Sequence, residues 1–311
     1  MKNKLLFIIL TTLILLSITS CKNKNYIYTE YDNYYEYIDV SYGKHKRQIL
    51  DFYLPKNTSN KGVILFIHGG SWVSGDKEGY RNDLKYWCEQ KGYASCAINY
   101  RYISGNADYN DILDDITNSL SKIKEIAEEK GITLENLLLT GHSAGAHLSL
   151  LYAYKNKDSS PITPQCVVSY CGPTDLTDEN FYIDNEFNVK LVYLFSNLTG
   201  KTITVKNHTK KKNILSAASP INYVTKDSVP TVICHGTLDD IVPYTNATRL
   251  QAKLNEYNVK NILITFQNSG HGLENDLDAS NYASVLMHEF VELYLKKPGI
   301  KHSWFFFIIY I

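Results

Sequence analysis

Leu137-Leu138-Leu139-Thr140-Gly141-His142-Ser143-Ala144-Gly145-Ala146-His147 is a short apolar run that meets Gly-x-Ser-x-Gly and passes at once into small, helix-compatible residues. The run reads as a buried strand over 136–140, and Leu148, Leu151 and Tyr152 fall on one face of a following helix. Joining a strand to a helix in so few residues forces a tight turn. Glycine is needed at 141 and 145 because a Cβ at either place would collide with the turn or the neighbouring strand. The serine between them can then be held in a strained backbone with its hydroxyl pushed outward. Five residues of this pattern recur by chance in long sequences, so the weight comes from the strand before and the helix after.

The rest of the chain repeats the strand-to-helix rhythm. Residues 62–67, 93–100, 165–170, 231–235 and 261–266 are apolar runs of strand length. Residues 80–91, 107–130, 245–257 and 281–295 carry helical spacing, with Ile112, Ile116, Leu120 and Ile123 on one stripe. Hydrophobic strands alternating with helices predict a mostly parallel sheet covered on both faces. Ahead of it, 35–42 and 48–54 alternate around Gly43-Lys44-His45-Lys46 and predict an antiparallel hairpin. Residues 175–220 break the rhythm with Leu191-Val192-Tyr193-Leu194-Phe195 and a polar, basic stretch over 201–212. An insertion at the carboxyl edge of such a sheet is expected to form a cap, with the lysines of 206–212 as its solvated face.

A chain of 311 residues, 44% hydrophobic and 21% charged, has the material for one large α/β domain. Lys+Arg and Asp+Glu stand at 32 each, which leaves no net field to recruit nucleic acid. The 25 tyrosines fit half-buried strand positions as readily as a surface for sugars or aromatic ligands. At the N-terminus, Lys2 and Lys4 precede an apolar run over 5–18, short of the roughly 20 residues a membrane span needs. It ends in Ile18-Thr19-Ser20-Cys21, which resembles a bacterial lipobox. That resemblance implies a signal peptide over 1–20, a lipid on Cys21 and an envelope location on a membrane; an uncleaved anchor or ordinary signal peptide is the alternative. Residues 21–34 then read as a tether, 35–297 as the domain and 298–311 as a tail. The tail's hydrophobic end, from Trp304 to Ile311, is too short to span a bilayer. Its place against the domain, against the membrane or in solvent stays open. Cys88, Cys96, Cys166, Cys171 and Cys234 lack Cys-x-x-Cys spacing and read as buried free thiols, not a disulfide framework or metal site.

Three more motifs sit at strand ends. Phe66-Ile67-His68-Gly69-Gly70-Ser71-Trp72 follows the 62–67 strand, and its glycines let backbone N–H groups face a cavity. Cys234-His235-Gly236-Thr237-Leu238-Asp239-Asp240-Ile241-Val242-Pro243 closes the 231–235 strand, and Asn268-Ser269-Gly270-His271-Gly272 follows the last one. Serine, acid and histidine therefore occur in that chain order at one sheet edge.

Together these segments resemble the esterase/lipase group of the α/β-hydrolase superfamily that carries a His-Gly-Gly oxyanion motif, over about residues 35–295. Asn99-Tyr100-Arg101 and Gly172-Pro173-Thr174-Asp175 are also at home there. The resemblance implies an α/β-hydrolase fold with an N-terminal antiparallel hairpin, helices on both faces and a cap insertion. It implies Ser143 as nucleophile, His271 as base and Asp239 as the acid that orients it. The N–H groups of Gly70, Ser71 and Ala144 would form an oxyanion hole. The implied activity is hydrolysis of carboxylic esters, small or carbohydrate-linked, with no metal or organic cofactor. Ser71 stands where related esterases carry a third glycine, which leaves the second oxyanion donor open. Of the two adjacent aspartates, Asp239 matches the family's acid, three residues before Val242. An arylformamidase or a peptidase of the same fold is the nearest rival; such peptidases usually add a propeller, and no segment of that size exists here. A non-catalytic envelope binding lipoprotein is the rival of another class, but a silent domain has no physical need for all four pieces. His68 is read as structural in the oxyanion loop, His142 and His147 as packing, His235 as a hydrogen-bonded core histidine, and Asp115 as a structural hydrogen-bond partner.

Overall fold

The structure is a computed structural model describing residues 26–56, 62–105, 107–183 and 186–296. Residues 1–20, Cys21, the start of the expected tether and the tail over 298–311 lie outside the described residues. The described strands form one sheet in the order β1-β2-β3-β5-β4-β6-β7-β8-β9. Its antiparallel end comprises β1 (Ile27–Glu30), β2 (Tyr34–Ser41) and β3 (Ile49–Pro55), with β3 antiparallel to β5 (Ala94–Asn99). From β5 onward, β4 (Gly62–Ile67), β6 (Asn136–His142), β7 (Thr163–Tyr170), β8 (Thr231–Gly236) and β9 (Asn261–Phe266) are all parallel. Every residue of β4, β5 and β8 is buried, and this two-sided burial makes their sequences continuous apolar runs instead of alternations.

Alternate side chains of β4 enter two separate cores, Val63, Leu65 and Ile67 in one, Ile64 and Phe66 in the other. The first is completed by α2 (Tyr109–Glu129), α3 (Ala144–Lys155) and α6 (Thr245–Glu256), through Ile112, Ile116, Leu148, Leu151 and Leu250. The second is completed by α1 (Arg81–Lys85) and α7 (Leu277–Tyr294), through Leu84, Leu286, Phe290 and Val291. Helices on both faces of a mostly parallel sheet agree with the expected α/β-hydrolase architecture. Helix α3 is buried from Ala144 to Ala153, so it is apolar all round instead of striped.

Three local expectations differ from the structure. Ile27–Glu30, inside the expected tether, is an edge strand; it is largely exposed and so carries no hydrophobic period, and backbone pairing with β2 holds it. The helix expected over 80–91 divides into a 3₁₀ turn, α1 and a π turn at Tyr86–Gln90 in which Trp87 and Cys88 are buried. Helix α7 begins at Leu277, ahead of its apolar spacing, because that leucine is 74% exposed and leaves no core-facing signal. The insertion over 175–220 contributes α4 (Glu186–Thr199) and α5 (Lys212–Ala217) among 3₁₀ turns. Buried Phe195 of α4 meets the edge of Trp72, which places the insertion against the loop after β4. Asn246 of α6 anchors its start, accepting from the backbone N–H groups of Thr174 and Asp175 at 2.8 and 2.9 Å.

Candidate active site

Ser143 joins β6 to α3 with φ 55° and ψ −121°, a conformation that L side chains rarely adopt. Its N–H donates to the Tyr170 carbonyl at 2.8 Å and its own carbonyl accepts from His147 at 3.0 Å. The flanking glycines are sterically required. A Cβ on Gly145 would stand 1.9 Å from the Ile67 carbonyl oxygen, and one on Gly141 would stand 2.5 Å from the same atom. Ala144 opens α3, so its N–H has no acceptor within the helix and adds to the positive end of the helix dipole.

The loop after β4 lies directly against this turn: a Cβ on Gly69 would come within 3.5 Å of Ser143 Cβ. Gly70, Ser71 and Trp72 all have positive φ, at 105°, 52° and 61°. Ser71 thus adopts the glycine-like backbone of the position it occupies. The strain is held by specific bonds. Val73 and Ser74 N–H donate to Gly70 O at 3.0 and 2.9 Å, and the buried Trp72 indole donates to His147 Nδ1 at 3.2 Å. His147 in turn donates from Nε2 to Ala218 O at 2.7 Å, tying loop, helix and insertion together. His68 donates from Nδ1 to Gly69 O at 2.7 Å, accepts from Arg47 Nη2 at 3.1 Å and stacks on Tyr100. Burial pushes both imidazoles down to about 4, against the opposing pull of their carbonyl partners, so neither is charged at neutral pH.

The acid and the histidine arrive from two other loops. His271 Nδ1 donates to Asp239 Oδ2 at 2.7 Å, while Ile241 and Val242 N–H donate to Oδ1 at 2.9 and 2.8 Å. Asp239 is buried and Asp240 exposed, so it is Asp239 that meets His271. Burial pushes the Asp239 carboxyl up, but hydrogen bonds from His235 and His271 outweigh it and hold it well below the usual carboxylate range. His142 Nε2 donates to the His271 carbonyl at 2.7 Å and its ring packs edge-on against that imidazole, holding His271 beside the residue that precedes Ser143. Burial, then the neighbouring His271, lowers the His142 pKa despite that bond.

All the described site residues expected from sequence thus converge on one sheet edge, and Cys21 lies outside the described residues. Asp115 has the structural role expected of it, accepting from Gln48, Arg101 N–H and the Arg101 guanidinium. Two partners were not read from the sequence. Arg47 braces His68 from the β2–β3 turn, and His235 reaches Asp239 Oδ2 at 3.2 Å; the four-residue spacing of His235 and Asp239 was the available signal for the second. Cys171 sits among these groups. His142, Cys171 and His271 bring possible ligand atoms within 4.8 Å of one another, as do Cys171, His235 and Asp239. Burial and the adjacent Asp239 push the Cys171 thiol up, which keeps it protonated beside the carboxylate. The described cysteines are free and buried, as expected. Behind the turn, a cavity of about 470 Å³ opens between α1 and α7, walled by Phe66, Tyr80, Trp87, His142 and Tyr170.

A family model described as BD-FAE matches residues 50–254. The probable carboxylic ester hydrolase LipM of Mycobacterium tuberculosis is 27% identical over 221 residues, 67% of this chain and 49% of that protein. Kynurenine formamidase of Danio rerio is 30% identical over 132 residues, 41% of this chain and 42% of that protein. The chain spans about half the length of the curated relatives it matches. Among solved structures, a truncated form of a carbohydrate esterase from gut microbiota superposes with a TM-score of 0.67 at 21% identity, covering 84% of this chain and 96% of that one. Its likeness is one of fold.

Proposed function

The chain belongs to the BD-FAE family, and from that premise we propose that it hydrolyses carboxylic esters through an acyl-enzyme on Ser143. The observation that carries the reading is the Asp239–His271 pair at 2.7 Å, held beside the strained Ser143 turn. His271 takes the Ser143 proton as Oγ attacks the acyl carbonyl, then gives it to the departing alcohol. Asp239 stays ionised, fixes the His271 tautomer and stabilises the imidazolium. The N–H of Ala144, with that of Gly70 or Ser71, stabilises the oxyanion. Water then releases the acyl group with the same base. This chemistry draws only on side chains and backbone N–H groups.

The acyl groups are small or carried on carbohydrate, and the insertion over 175–220 selects among them. Relatives named as carboxylic ester hydrolase and esterase support the ester reading. A formamide substrate is the second reading, favoured by the kynurenine formamidase relative. The test is release of p-nitrophenol from its acetate ester by the wild type and by Ser143→Ala. Loss of about 10⁴-fold or more in the variant is expected, and equal rates would remove the reading. Acetylated xylan, a feruloyl ester and N-formylkynurenine assayed side by side separate the substrate classes.

The chain is proposed to be lipid-anchored at Cys21 in a bacterial envelope after removal of 1–20. Support comes from the Lys2/Lys4, apolar run and Cys21 order. No helix of the described residues is long and apolar enough to cross a membrane. Incorporation of an alkyne-tagged fatty acid that Cys21→Ser abolishes is the expected result.

A further inference from the structure

Three buried side-chain atoms among the described residues have no hydrogen-bond partner: Asn156 Oδ1, Ser169 Oγ and His235 Nδ1. Only His235 touches the acid–base pair. It lies near the end of β8 with its ring fully buried, and its Nε2 is 2.9 Å from Val242 O and 3.2 Å from Asp239 Oδ2. Both of those atoms are acceptors, so Nε2 carries the ring hydrogen; it donates to Val242 O and keeps Asp239 Oδ2 within electrostatic reach of the same N–H. Nδ1 is left facing the core with nothing to bond. A histidine kept for packing alone gains nothing from this arrangement, because an orphaned buried nitrogen costs stability that an apolar side chain would not.

The gain lies at the carboxylate. Asp239 Oδ1 is fixed by the N–H groups of Ile241 and Val242, which belong to its own turn. Oδ2 is met by side chains: His271 Nδ1 donates to it at 2.7 Å and His235 Nε2 lies 3.2 Å away, while the Cys171 thiol also bonds the carboxylate. The two imidazoles come from different strands' ends, β8 and the loop after β9, and clamp one oxygen between them. Val242 O, held by the same turn, fixes where the His235 hydrogen can point.

We propose that His235 is a positioning residue, whose Nε2–H holds Asp239 Oδ2 in line with the His271 Nδ1–H bond. The inference rests on the hydrolase reading of Ser143, and its test separates the two. Glutamine and asparagine at 235 offer the same amide donor at different reach: the glutamine N–H falls near the place of Nε2, and the asparagine N–H stops near Nδ1. In the full-length protein, His235→Asn is expected to lose roughly 10- to 100-fold in kcat on p-nitrophenyl acetate, with KM within about threefold. His235→Gln is expected to stay within about fivefold of wild type. Equal loss in both variants at matched melting temperatures, or none in His235→Asn, would overturn the proposal. If neither variant melts cooperatively, ¹⁵N resonances of wild-type histidines decide. Hydrogen on His235 Nε2 with Nδ1 bare upholds it, and the opposite tautomer overturns it. Failure of the wild type to exceed Ser143→Ala would instead overturn the hydrolase reading and leave the tautomer result standing.

Discussion

The serine side and the acid–base side of the site are built by opposite means. Around Ser143 the backbone itself is forced: positive φ at Gly70, Ser71, Trp72 and Ser143, and glycines where a Cβ would strike the Ile67 carbonyl. Around Asp239 the turn 239–242 has no positive φ, and steric demand is confined to Gly236, where a Cβ would stand 2.3 Å from Ser269 O. Hydrogen bonds do most of the placing, with N–H donors from Ile241, Val242 and His271 on one carboxylate and His235 Nε2 3.2 Å away. The serine side is therefore fixed by steric exclusion, and the acid–base side by charge and donor geometry. Substitutions that change shape should damage the first, and substitutions that change only hydrogen bonding or charge should damage the second.

Asp239→Asn tests the second half most severely. It keeps shape and is expected to lower kcat by about 10³- to 10⁴-fold through the wrong His271 tautomer, while Asp240→Asn stays within about threefold; steady-state kinetics on both variants reads the contrast. Gly145→Ala tests the first half. It adds one methyl 1.9 Å from a backbone oxygen and is expected to cost about 3–5 kcal/mol in urea-denaturation stability; a cost under about 1 kcal/mol would mean the turn yields.

The braces of the serine side also leave a pH signature. His68 and His147 are pushed down to about 4 in the folded chain, against about 6.5 when unfolded. Between those values the folded state binds fewer protons than the unfolded one, so stability falls as pH drops from about 6.5 to about 4. Each histidine accounts for up to about 3 kcal/mol across that window. Urea midpoints at stepped pH should show the decline, and His147→Gln should flatten its slope, whereas Asp240→Asn should not. The smallest effect belongs to Ser71→Gly. Relief of the 52° φ, partly offset by a freer unfolded chain, should raise stability by roughly 0.5 kcal/mol, measurable as a small rise in the urea midpoint.

The serine side was the more legible in sequence for the same reason that it is sterically fixed. Gly141, Gly145, Gly69 and Gly70 are the residue type the backbone demands, and that demand acts between chain neighbours. The continuous apolar runs of β4, β5 and β8 likewise record burial on both faces. Exposed elements leave no such record, which is why β1 and the first turn of α7 escaped a reading based on hydrophobic period. Asp239 was favoured over Asp240 only through resemblance, since nothing local tells two adjacent aspartates apart.

Sequence alone determined the strand-to-helix turn at Ser143, the Gly-Gly loop after β4, the βα rhythm and the order of serine, acid and histidine. These follow from backbone sterics and burial, which each residue and its near neighbours express directly. The tertiary structure alone decided that β8 and β9 lie side by side, that their loops bring His235 and His271 to the same oxygen of Asp239, and that Arg47 reaches His68 from the antiparallel end of the sheet. A hydrogen bond between residues far apart in the chain exists only once the sheet order has set the distance, and no local pattern encodes it.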